Sequence, residues 1–152
     1  MADGPSGERK IVVGVDGSDS SVLALRWAAY YAALLQARLE VVGAWEWPPT
    51  FGWAAVAPAW NPADDTSKVL EESARAAFGE QWPEGMQLEI GEGGAAKVLL
   101  DACQGATMVV VGSRGHGGFA GLLLGSVSAN LAEHAPCPVL IIHGHNGPPP
   151  AL

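Results

Sequence analysis

Residues 112–128 read Gly-Ser-Arg-Gly-His-Gly-Gly-Phe-Ala-Gly-Leu-Leu-Leu-Gly-Ser-Val-Ser, with six glycines among the first fourteen positions. A plain connector has little use for so many glycines, because each loses much backbone freedom on folding. Glycines do let backbone N–H groups come close to an anion. A helix starting near Ser126 would add unpaired N–H groups and the positive end of its dipole. Ser126 and Ser128 contribute hydroxyls, Arg114 a positive charge, and Gly112, Ser113, Gly115, Gly125 and Val127 the surrounding backbone. The chemistry this suits is the cradling of phosphate; a flexible loop of small residues is the plain alternative.

A second cluster, residues 14–21, reads Gly-Val-Asp-Gly-Ser-Asp-Ser-Ser. Gly17 with Ser18, Asp19 or Ser20 as helix cap describes an ordinary strand-to-helix turn. Val15 and Asp16 lie where a strand ends, and a carboxylate there can hydrogen-bond ribose hydroxyls or base donors. Neither cluster contains lysine, and GxxxxGK[ST] is absent, which excludes a P-loop nucleoside triphosphatase. Gly115-x-Gly117-x-x-Ala120 fits the dinucleotide fingerprint only loosely. No acidic residue follows about twenty positions later to hold a ribose.

Other candidates carry less. His116 sits in the glycine loop without a nucleophile at a recognisable spacing. His143 and His145 are too few for a metal site, Glu71 and Glu72 suit a solvated helix face, and Cys103 and Cys137 read as buried thiols. Trp45, Trp47, Phe51, Trp53 and Trp60 are interleaved with Pro48, Pro49, Pro58 and Pro62. That segment cannot be regular structure. It is a hydrophobic loop over the sheet end, a lid, or a partner surface.

These residues need elements to hold them. β-branched or aliphatic runs at 11–15, 39–44, 108–111 and 139–142, with a weaker one at 86–90, predict strands; the first, third and fourth are continuous, which suits strands buried on both faces. Helical spacing covers 20–36, 65–78, 95–103 and 126–133. Alternating strands and helices imply a doubly wound α/β domain, with any ligand beyond the carboxyl ends of the strands where the winding reverses. Residues 9–143 form this single domain, while 1–8 and 144–152 are expected to be flexible tails. The 152 residues are 49% hydrophobic and 16% charged, with Lys and Arg numbering 8 against 16 Asp and Glu, a net charge of −8. Such a charge argues against nucleic acid as a partner. The first ten residues lack an apolar signal core and no apolar run reaches the ~20 residues of a membrane span, so a soluble, cytoplasmic protein without membrane contact is expected.

The spacing Gly112-x2-Gly115-x9-Gly125-Ser126 resembles the nucleotide-binding signature of the universal stress protein family. The likeness extends over the core: IVVGVDGS at 11–18, VVGAW at 41–45, Glu92-Gly93 with Leu99-Leu100, and APCPVLII at 135–142. It implies a Rossmann-like sheet of order 3-2-1-4-5 with helices on both faces. It further implies that Asp16, with its turn neighbours Val15 and Gly17, contacts adenosine and that the Ala44 backbone reads the adenine edge. Gly112, Ser113, Arg114, Gly115, Gly125, Ser126, Val127 and Ser128 would then hold ribose and phosphates. The implied cofactor is ATP, with AMP or ADP as alternatives and magnesium or manganese carried on the phosphates. The implied partner is a second copy, paired through strand 139–142 (Val139–Ile142) in a homodimer. Thr107 and Gly43 depart from the family pattern, where Asp and His are common.

Fast phosphoryl transfer wants a positioned base and cations around the γ-phosphate. Arg114 alone is basic here, and no dedicated base is evident. The expected function is a stress-response binding module whose ATP occupancy shifts a conformation or association, with hydrolysis slow or absent. Two other readings stand beside it. One is a slow ATPase using His116 or Asp16 to position water; the other is a nucleotide-free interaction protein using the tryptophan-rich loop.

Overall fold

Ile11, Val12 and Val13 are wholly buried, and their side chains leave the strand on alternate sides. Ile11 and Val13 enter one apolar cluster, Val12 a second. This is why the run is continuous rather than alternating: both faces of the strand are covered. A computed structural model describes residues 7–48, 60–114 and 124–150. The elements follow in strict alternation: β1 (Arg9–Gly14), α1 (Asp19–Leu35), β2 (Ala37–Trp45), α2 (Pro62–Phe78), β3 (Gln87–Glu92), α3 (Ala95–Ala102), β4 (Met108–Gly112), α4 (Ser126–His134) and β5 (Val139–Ile142).

The five strands form one parallel sheet of order β3-β2-β1-β4-β5, as the sequence implied. α1 and α2 cover one face, where Leu25, Ala28 and Leu70 pack on Val13, Val41 and Val110. On the other face, α3 and α4 bring Leu99, Cys103 and Leu131 against Val12, Val109 and Val111. The chain therefore reverses its winding between β1 and β4. Their following turns separate to opposite faces and leave a crevice between them.

Most element boundaries shift by one or two residues from the sequence pattern, and two differences have a physical cause. α2 begins at Pro62, with Asn61 as its cap accepting a hydrogen bond from the Ala63 N–H at 3.0 Å. Proline suits this first helical position because its missing N–H would have no partner there. The prolines and tryptophans just upstream mask this start in the sequence. Within 144–152, read as tail, residues 146–149 lie beside α1, where the Trp27 indole N–H donates to the Asn146 carbonyl at 2.9 Å. Among the described residues no helix is long and apolar enough to cross a membrane.

Cys103 is wholly buried and Cys137 half-buried, both as free thiols. Burial pushes the Cys103 thiol up to about 12, with the neighbouring Cys137 adding to the effect. An unfolded chain releases this proton near the ordinary thiol value of 9.0, whereas the folded chain keeps it to about 12. The stability due to the neutral thiol is thus complete below pH 9 and lost as pH rises through that window. Urea unfolding at pH 8 and pH 10.5 should show a larger loss for the natural chain than for Cys103→Ala; equal losses would contradict the burial of the thiol.

Candidate functional site

The turn leaving β1 is built by its own polar side chains. Gly17 takes φ +88°, in the left-handed region that disfavours other residues. One Asp16 carboxylate oxygen accepts the Ser18 N–H at 2.9 Å and the Ser18 hydroxyl at 2.6 Å. The Ser18 oxygen in turn caps α1 by accepting the Ser21 N–H at 3.2 Å. Ser21 closes the network, donating its hydroxyl to the Ser18 carbonyl at 2.9 Å and accepting the Asp16 N–H at 3.3 Å. These bonds hold the exposed Asp16 carboxylate at the mouth of the crevice.

Across the crevice, β4 ends against the first turn of α1. A Cβ on Gly112 would lie 2.9 Å from the Ser20 backbone oxygen, so only glycine allows this approach. Ser113 then stitches three segments together. Its N–H donates to the Ile142 carbonyl at 2.9 Å, and its carbonyl accepts the Gly125 N–H at 2.7 Å. The buried Ser128 hydroxyl lies 3.1 Å from both the Ser113 and Gly125 carbonyls. With one proton, it can donate to one of them at a time.

Gly125 is the extended cap of α4 and supplies no side-chain bond to the helix start. The Ala129 N–H bonds the Gly125 carbonyl at 3.0 Å and begins the helical ladder. The backbone N–H groups of Ser126, Val127 and Ser128 precede that ladder and have no acceptor among the described residues. Together with the dipole of α4 they form an anion-binding end.

These turns enclose a cavity of about 240 Å³. The strand ends contribute Gly14, Val15, Asp16, Val42, Ala44, Val111 and Gly112, and the turns and helices add Ser21, Arg114, Gly125, Ser126, Val127 and Ser128. Ala44 has a distinct backbone geometry. The last β1 bond to β2 is the Val15 N–H to the Val42 carbonyl at 3.0 Å. Backbone groups on a strand alternate sides, so Ala44 addresses the same side as Val42, beyond the point where β1 has ended. It offers an adjacent donor and acceptor to the crevice.

Nine of the residues singled out in the sequence line the cavity together. Gly17 and Ser113 stand behind it and shape the two turns, while Gly115 and His116 lie outside the described residues. Thr66 and Val69 of α2 and Ala95 and Leu99 of α3 complete the walls and carry no sequence signal of their own. Their signal is indirect and lies in strand glycines. A Cβ on Gly43 would meet Thr66 at 2.9 Å, one on Gly14 would meet Leu99 at 2.7 Å, and one on Gly91 would meet Val98 at 2.8 Å. Glycine at these positions draws α2 and α3 onto the strand ends. The departure at Gly43 is therefore a packing feature that brings Thr66 to the crevice.

Beside β2, the Trp47 ring meets Trp45 at 5.8 Å and Trp60 at 6.1 Å, edge to face in both cases. Trp60 is fixed by its indole N–H on the Asp65 carboxylate at 2.9 Å. Phe51 and Trp53 of the same segment lie outside the described residues.

Comparison with known proteins places this geometry. Residues 8–143 match the model of the universal stress protein family. The chain belongs to the universal stress protein family. It is 36% identical over 151 residues to a universal stress protein of Mycolicibacterium smegmatis, covering 90% of this chain and 49% of that protein. A universal stress protein of Mycobacterium tuberculosis is 37% identical over 144 residues, covering 88% of this chain and 47% of its own length. The chain thus spans about half the length of these curated relatives. Among solved structures, a universal stress protein in complex with cAMP superposes with a TM-score of 0.62 at 31% identity, over 89% of this chain and 96% of that one. A universal stress protein from Archaeoglobus fulgidus in complex with dAMP shares the fold, with a TM-score of 0.53 at 20% identity over 89% and 98% of the two chains.

The contact of β4 with α1 yields a direct test. Gly112→Ala should destabilise the chain by about 1–3 kcal/mol, the usual range for overpacking, because the Ser20 backbone cannot give way as a side chain would. A lowered urea midpoint with an unchanged slope would register this loss; an unshifted midpoint would show that β4 and α1 are not in contact at Gly112.

Proposed function

We propose that the crevice binds an adenine nucleotide, ATP foremost, and that the chain acts as a nucleotide-dependent binding module in stress response. The observation that carries this reading is the N–H row of Ser126, Val127 and Ser128, without an acceptor among the described residues, lining a cavity shared with Ala44 and Asp16. Each end of a nucleotide has a counterpart in this arrangement. The backbone donor and acceptor of Ala44 suit the edge of adenine between Val42, Val69 and Leu99, and Asp16 suits ribose hydroxyls. The α4 end and Arg114 suit phosphates. The cAMP bound in the structure at 31% identity supports this ligand class, and the retained glycine spacing supports ATP over a bare nucleoside.

Mechanism follows from what the lining can do. Among the described residues Arg114 is the one cation lining the crevice, and no group of three or more His, Cys, Asp or Glu could hold a metal. A magnesium or manganese ion would be carried on the phosphates, where the exposed Ser126 hydroxyl is a side-chain oxygen of the lining that could assist it. Asp16 is the one carboxylate of the described lining, and its oxygen is engaged by the Ser18 N–H and hydroxyl. We therefore read the nucleotide as a signal, with hydrolysis slow or absent. It acts as one if two states of the protein bind it unequally. A second copy paired along the outer edge of β5 would supply such an association, since the four residues Val139–Ile142 form an edge of the sheet.

One backbone N–H can be removed without disturbing the helix. Ser126 occupies the first position of α4, where proline is favoured, and the preceding Gly125 already has the φ −70°, ψ 168° that proline requires. Ser126→Pro should keep the fold yet weaken ATP by tenfold or more, because a bond to a charged group contributes about 1.5–3 kcal/mol. Ser126→Ala, which keeps the N–H, should weaken it far less. Calorimetric titration of the two variants checks this; equal affinities would show that the α4 end does not hold the phosphates.

A further inference from the structure

On the outer face of α1 lies a second, open groove of about 760 Å³. It is lined by Tyr30 and Leu34 of α1, by Phe78 and Trp82, and by Pro148 and Pro149. Leu34 and Trp82 are 48% and 37% exposed, a large apolar surface for residues outside the crevice. The aromatic character continues along α1, where Trp27 stacks with Tyr31 at 6.1 Å and meets Tyr30 edge to face at the same distance.

The segment beside this groove has its own signature. Gly147 is followed by three consecutive prolines, Pro148, Pro149 and Pro150, which favour the extended polyproline helix. That helix has no internal hydrogen bonds, so its carbonyls seek outside donors. Here the Trp27 indole N–H donates to the Asn146 carbonyl at 2.9 Å, and Pro148 is half-buried while Pro149 and Pro150 are exposed. A groove lined by aromatic rings, beside an indole donor that holds the carbonyl two residues before a proline run, has the parts by which proline-rich peptides are recognised generally.

We propose that this face of α1 is a recognition site for extended proline-rich segments. Residues 147–149 lie along it in cis, next to the Asn146 carbonyl held by Trp27, and a proline-rich segment of another protein reaches it by displacing them. The site is separate from the nucleotide crevice, so the proposal stands independently of the ligand assigned there.

The test uses the intact chain, a chain ending at His145, and a synthetic peptide of residues 145–152. The shortened chain should bind the peptide saturably, with the Trp27 indole resonance returning to its position in the intact chain. The intact chain should bind the same peptide about tenfold more weakly or worse, because its own segment competes at a high effective concentration. Exposed Trp82 can be changed without touching the core, so Trp82→Ala in the shortened chain should lose peptide affinity while its melting temperature holds. A peptide with all three prolines replaced by alanine should bind severalfold more weakly. No binding to the shortened chain, equal affinity of the shortened and intact chains, or equal binding of the alanine peptide would each overturn the proposal. So would a dimer of the intact chain that vanishes on shortening, since the segment would then be exchanged between copies.

Discussion

The end of β4 rests on the first turn of α1, with Gly112 leaving no room between strand and helix. Much of the crevice follows from that contact. It brings the turn after β4 beside the turn after β1, at the place where the parallel sheet reverses its winding. Ser113 then ties the β4 turn to β5 through Ile142 and to the head of α4 through Gly125. The open N–H groups of α4 are thereby presented to the same space as Asp16 and Ala44. Loosening the contact would separate the two halves of the site without altering any residue that faces the cavity.

An acidic chain has reason to use this device. With a net charge of −8, it repels anions at long range. Helix-end amides act at short range, where they carry partial positive charge and need no counterion of their own. An anion can therefore be held locally without making the surface attractive to nucleic acid, which is drawn chiefly by clustered Lys and Arg. The serines reinforce the local field in different ways. Ser126 is exposed on the lining, whereas Ser128 turns inward and holds the loop ends together.

Much of this was legible in the sequence because its signals were local. The runs at 11–13 and 109–111 announced strands covered on both faces, and the helix starts at Ser18 and Gly125 were marked by cap chemistry or glycine. The walls from α2 and α3 were not legible. Thr66, Val69, Ala95 and Leu99 become part of the crevice only through tertiary approach, which depends on glycines in the strands beneath them. The inward role of Ser128 was hidden for the same reason, since a serine in a helix's first turn can face ligand or backbone. Likewise, a polar, proline-rich end reads as tail until an aromatic face elsewhere in the chain gives it somewhere to lie.

On the proposed reading, backbone amides at the head of α4 and the end of β2 build a site for an adenine nucleotide. Releasing small molecules by acid from freshly purified protein and identifying them by mass spectrometry, alongside melting curves in rising ATP, tests this. The account predicts an adenine nucleotide in the extract, near one per chain if occupancy survives purification, and a melting temperature that climbs with ATP concentration. An extract free of adenine nucleotides together with a melting temperature indifferent to ATP would contradict it.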